Sequence, residues 1–168
     1  MRIATAAMLA ASLLVLAGCS KPTWKTYDYP AWGFGVSFQT PPTVTETQAS
    51  ATTPHSIQAE AVQDNVHLVV LAMDSQVSGK TDQQLLADLP DEVVQSANGT
   101  YKSATNISLG KVPGREILVD RGQDPPERAR IFVVNGRVYQ VITQTPEGED
   151  DTPATKFLQS FHLLGQKS

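Results

Sequence analysis

From Gly33 to Gln144 the chain is written mostly in short runs of alternating apolar and polar residues, interrupted once by a stretch of helical period. Gly33–Gln39 alternates Phe, Val and Phe with small or polar residues, and Pro41-Pro42 stops it. Thr43–Gln48 alternates again. His55–Gln63 and Val66–Met73 flank Asp64-Asn65, two residues that tolerate positive φ, which predicts a hairpin. That turn pairs Gln63 with Val66, places His67 opposite Val62 and puts His55 opposite Asp74. Val66–Met73 is nearly continuous in apolar residues, as expected of a central strand covered on both faces.

Residues 81–97 change period: Leu85, Leu86, Leu89, Val93, Val94 and Ala97 fall on one helical face. Thr81 and Gln84 fit a capping box, Asn98-Gly99 supplies a stop, and Pro90 inside predicts a kink or a division. Strands return over 101–109, 112–121, 127–134 and 137–144. Asn135-Gly136, between two runs rich in β-branched residues, is the strongest hairpin signal in the chain. Thr152 and Pro153 open a last helix with Phe157, Leu158 and Phe161 facing inward, and Asp150 and Asp151 lie at its positive end. The order predicts an α+β domain: one largely antiparallel sheet of about six to seven strands packed against helices.

The N-terminus follows another rule. Arg2 precedes a charge-free run from Ile3 to Leu16, too short for a comfortable membrane span of about 20 residues, and Ala17 and Gly18 close it. Leu16-Ala17-Gly18-Cys19 contains the only cysteine of the chain and resembles a lipoprotein signal-peptidase site. The resemblance implies cleavage between Gly18 and Cys19, acylation of Cys19 with palmitate-type chains, and a bacterial envelope location. Ser20 is the residue type associated with sorting to the periplasmic face of the outer membrane. The competing reading is a plain signal peptide or short anchor with Cys19 at its boundary by accident. Residues 1–18 are thus expected to be a signal peptide, 19–31 a lipidated tether and 32–168 one globular domain. Twelve extended residues of tether would reach about 40 Å, but the aromatics Trp24, Tyr27 and Tyr29 predict that part of this segment packs on the domain.

Charge and composition then exclude more than they assign. Losing Arg2 leaves 12 basic against 17 acidic side chains, a formal −5, with no electrostatic footprint for nucleic acid. His55, His67 and His162 lack ligand spacing, and no cysteine pair, clustered carboxylate motif or G-x-S-x-G elbow is present. No metal, cofactor or catalytic residue is therefore expected. Alternation places Arg115, Ile117, Val119 and Arg121 on one face of their strand, and Arg128, Arg130, Phe132 and Val134 on one face of theirs. Were those faces the same, Arg115, Arg121, Arg128 and Arg130 would form a basic patch for an anionic partner. The alternative is an ordinary solvated face paired with Glu116, Asp120, Asp124 and Glu127. Trp24 and Trp32 are either a docking surface or a cover for the sheet edge.

Three segments resemble the Mog1/PsbP-like family of α/β/α sandwich domains. They are Trp32-Gly33-Phe34-Gly35-Val36-Ser37-Phe38 leading to Pro41, the Arg130–Val141 hairpin, and the closing Phe157-Leu158-Gln159-Ser160-Phe161-His162-Leu163. Gln39 stands near where the family more usually has a proline. The family includes photosystem-associated proteins, a nuclear-transport factor and bacterial secreted proteins. The resemblance implies the fold and a non-catalytic role, and it transfers no functional residue. The expectation is a membrane-anchored periplasmic domain that binds a protein partner or assists envelope assembly, its oligomeric state open. The alternative is a ligand-binding or hydrolytic domain working in a cleft between sheet and helices.

Overall fold

The computed structural model describes residues 23–165. The expected signal-peptidase site at Gly18 and Cys19, and the expected signal peptide before it, lie outside the described residues. Among those described are ten strands and two helices. Strands β1 (Lys25–Tyr29) and β2 (Phe34–Phe38) are joined by a single 3-10 turn, Pro30–Trp32. There follow β3 (Thr43–Thr47), β4 (Ser56–Gln63) and β5 (Val66–Asp74), then helix α1 (Asp82–Ser96). The chain continues through β6 (Thr100–Leu109), β7 (Val112–Asp120), β8 (Glu127–Val134) and β9 (Arg137–Gln144). Helix α2 (Thr152–Ser160) and the two-residue β10 (His162–Leu163) close it.

Seven strands form one antiparallel sheet in the order β3-β4-β5-β9-β8-β7-β6, and β1-β2-β10 form a small second sheet. The expected α+β class is therefore correct. The predicted β4–β5 register is also found, with Gln63 opposite Val66 and Val62 opposite His67. Asp64 and Asn65 (φ 48° and 62°) and Asn135 and Gly136 (φ 53° and 75°) adopt the left-handed conformations a two-residue hairpin turn needs.

The large sheet is covered differently on its two sides. Leu85, Leu86, Leu89 and Val93 of α1 pack on Ile117, Val119, Ala129, Ile131 and Val133. On the opposite side, Phe157, Leu158 and Phe161 around α2 join Phe34 and Phe38 of the small sheet over Leu68, Val70, Phe132, Tyr139 and Val141. Phe161 is the hub of this layer, with ring centroids 5.8–5.9 Å from Phe34, Phe132 and Tyr139.

Three local expectations need correction. Pro90 does not divide α1, which runs unbroken from Asp82 to Ser96. A proline inside a helix costs about 3 kcal/mol, whereas each fully buried Leu or Val contributes roughly 1.5–3 kcal/mol, and this helix buries Leu85, Leu86, Leu89 and Val93. The N-cap of α2 is Asp151 rather than Thr152, so Pro153 is at the second helical position. Lys25–Tyr29, assigned by the sequence to a tether whose aromatics predict partial packing on the domain, pairs along its whole length with β2, so the packed part is larger than expected. The other end of α1 closes as foreseen: Asn98 takes a left-handed φ of 51°, Asn98 N–H donates to the Gln95 carbonyl and Gly99 N–H to that of Val94.

Candidate functional site

On the α2 side, the helix covers the middle of the large sheet and leaves β7 and β6 open beside it. The floor of the resulting groove carries Glu116 and Leu118 of β7 with Ser103, Thr105, Ile107 and Leu109 of β6, because Ser103 pairs with Leu118 and Thr105 with Glu116. Arg128 and Arg130 project from β8 onto the same side, opposite Leu118 and Glu116. Arg130 Nε donates to Glu116 Oε2 at 2.7 Å, and Arg128 Nη2 to Glu116 Oε1 at 3.3 Å. Partial burial alone pushes the Glu116 carboxyl up; hydrogen bonds from Arg130 and Arg128, with their charges, together outweigh it and hold the group below its ordinary value.

The two arginines also hold the helix. Arg130 Nη1 donates to the Leu158 carbonyl at 3.1 Å, near the negative end of α2, and Arg128 Nη1 lies 3.6 Å from Asp151 Oδ2 at its start. Glu116 and Asp151 together balance Arg128 and Arg130. What alternation presented as basic is a neutral network stapling α2 to the sheet.

The four-arginine patch does not form. Arg115 pairs with Ile131, and Ile131 belongs to the layer under α1, so Arg115 and Arg121 face the α1 side while Arg128 and Arg130 face the α2 side. Adjacent strands share a face only for residues directly opposite, and the β7–β8 register puts the two arginine sets out of phase. Arg121 instead donates to the Ala97 carbonyl at 3.1 Å and the Pro125 carbonyl at 3.3 Å, joining the C-terminus of α1 to the β7–β8 loop.

Trp32 is 3% exposed, so it is no docking surface. It sits between the Arg137 guanidinium, 4.7 Å from its ring centroid, and the His55 ring at 4.5 Å. Trp24 is partly buried against the same core. Around Trp32, Arg137 Nε donates to Asp74 Oδ1 at 2.7 Å, Arg137 Nη1 to the Ala31 carbonyl, and the Tyr139 hydroxyl to the Trp32 carbonyl. The hydrogen bond to Asp74 raises the Arg137 pKa, and burial raises that of the Tyr139 hydroxyl. Arg137 is the residue the sequence reading missed. Its partners come from positions 31, 32 and 74, and only its place opposite Asp74 in the β5–β9 register could have flagged it.

The histidines are dispersed. His55 faces Glu46 and Asp74, His67 faces Glu60 and Gln144, and His162 faces Asp28. Among the described residues no group of three or more His, Cys, Asp and Glu side chains is arranged to hold a metal, and no helix is long and apolar enough to cross a membrane. The sheet–helix interfaces are filled by buried side chains. Open depressions on the α2 side include one of about 350 Å³ beside Glu116, Arg128 and Asp151 and one of about 470 Å³ between Ile107, Leu109, Phe132 and Leu158, and another of about 460 Å³ lies beside Asp74, Arg137 and Tyr139.

No family model matches this chain, and no curated protein matches it by sequence. Among solved structures, the solution structure of cyanobacterial PsbP (CyanoP) from Synechocystis sp. PCC 6803 superimposes with a TM-score of 0.61. The alignment covers 90% of this chain and 98% of that one at 13% identity. The protein therefore has a PsbP-like fold, of α+β class with two antiparallel sheets.

Proposed function

We propose that this protein is a lipid-anchored domain of the bacterial cell envelope, held at the periplasmic face of the outer membrane, that works by contact with a protein partner or in envelope assembly rather than by catalysis. The observation that carries the reading is Leu16-Ala17-Gly18-Cys19 directly after a charge-free apolar run, with the sole cysteine of the chain at the cleavage point. Two chains or more on one cysteine give stable anchoring, since each buried methylene contributes about 0.8 kcal/mol and a single chain binds only marginally.

The test is Cys19→Ser in the full precursor, expressed in a bacterial host with labelled palmitate. Label and membrane association are expected in the wild type, with unprocessed, unlabelled precursor in the variant. A variant that still takes up label refutes the anchor. In-cell crosslinking of the wild type should then recover a discrete protein adduct, and enzymatic turnover by purified protein with no adduct would refute the contact role.

A further inference from the structure

We infer that the anchored domain stands on the membrane by one defined end, an acidic one, and presents the opposite end to the periplasm. This inference rests on Cys19 being the lipid attachment. Register and a few hydrogen bonds sort the turns and loops that matter here to one end or the other. β1 begins at Lys25 opposite Phe38, and Gln39 N–H donates to the Gln63 side chain just before the Asp64-Asn65 turn. Asn65 in turn donates to Glu149, so the β9–α2 loop is at this end as well. Glu127 lies opposite Gln144 and Val119 opposite Glu127, which adds the β7–β8 loop. At the other end are the Asn135-Gly136 and Gly110-Lys111 turns and the start of α1, whose Asp82 accepts from Asn135 N–H and Gly136 N–H at 2.8 Å each.

The tether decides which end faces the lipid. Cys19 to Thr23, the first described residue, spans four peptide steps, so Thr23 lies within about 14 Å of the anchor. With Lys25 already committed to β1, the domain cannot stand about 40 Å off, as a tether running to residue 31 would permit. The eight-residue strands β8 and β9 put the far turns about 26 Å further away.

Charge follows the same axis. Loops at the near end expose Asp64, Asp124, Glu147, Glu149, Asp150 and Asp151, against Lys25, Arg121 and Arg128, and the stretch from Cys19 to Thr23 adds Lys21. The far end is closer to balance, with Lys80, Lys111 and Arg137 against Asp74, Asp82 and Asp88, the last paired with Lys80. The reach of the tether is comparable to a Debye length of about 10 Å at 0.1 M salt, so an anionic headgroup layer pushes the near end outward.

The test uses the processed, lipidated protein in vesicles, where the acylated Cys19 leaves an introduced cysteine as the only free thiol. Fluorophores on Glu147→Cys and Lys111→Cys are compared with a headgroup-labelled quencher lipid in phosphatidylcholine. Quenching several-fold stronger at 147 than at 111 is expected, and reduced quenching at 147 when phosphatidylglycerol is mixed in at low salt. A Gly/Ser spacer after Ser20 should shrink the difference between the sites. Equal or reversed quenching in vesicle-bound protein overturns the orientation while leaving the anchor intact. Protein that never takes up palmitate overturns both.

Discussion

Replacing Glu116 by Gln tests whether the arginine network is a fastening for α2. The amide keeps the size of the carboxylate and one acceptor oxygen, but it removes the charge facing Arg128 and Arg130 and turns one acceptor into a donor pointed at a guanidinium. A buried hydrogen bond to a charged group contributes about 1.5–3 kcal/mol, and a fully exposed ion pair about 0.2–1 kcal/mol. Side-chain exposures of 23% for Glu116, 32% for Arg128 and 24% for Arg130 place this network between those limits. The expected cost at neutral pH is about 1–2 kcal/mol, or about 2–4 °C in melting temperature per kcal/mol for a domain of this size. The acid dependence is specific. Because Glu116 is held below the ordinary 4.5 in the folded chain, its contribution is complete above that value and is lost as pH falls through the lower folded value. Urea denaturation of wild type and variant, at neutral pH and in acid, should therefore show curves that separate at neutral pH and converge in acid. Equal stability at neutral pH, or a deficit of unchanged size in acid, would refute the reasoning.

Two further substitutions probe the packing. Gly114→Ala puts a methyl 2.5 Å from the Phe132 ring and 2.7 Å from the Ile131 carbonyl, so overpacking should cost about 1–3 kcal/mol, read by thermal melting, and leave far-UV circular dichroism unchanged. Asp82→Ala strips the Asn135 and Gly136 amides of their acceptor and removes an acid from the first turn of α1; a loss of about 1–2 kcal/mol is expected, with faster hydrogen exchange at those two amides. Unchanged exchange would mean that the turn does not depend on Asp82.

The hairpins and helices were legible because their causes are local. Asn135-Gly136 selects its turn by backbone conformation alone, and Thr81 with Gln84 caps α1 through its own first turn, as the side-chain bond from Gln84 N–H to Thr81 confirms. Short apolar strands such as β2 were visible by alternation. β1 was not: in Lys25-Thr26-Tyr27-Asp28-Tyr29 only Tyr27 and Tyr29 alternate with polar residues, too short a repeat to set a strand apart from a tether, and pairing with the edge of β2 makes it one.

The same division separates charge from site. By itself the sequence determined the class of fold, the two-residue turns, the helical faces and the placing of a lone cysteine at the end of an apolar run, all properties of neighbours within a few residues. It also fixed which arginines share a face of their own strand. Only the tertiary structure decided that the two arginine pairs point to opposite sides of the sheet, since that depends on how β7 and β8 slide against each other. Tertiary structure also buried Trp32 beneath Arg137 and drew Lys25–Tyr29 into the small sheet. A one-residue change of register inverts every face, so an arginine's partners are set by pairing between strands far apart in the chain.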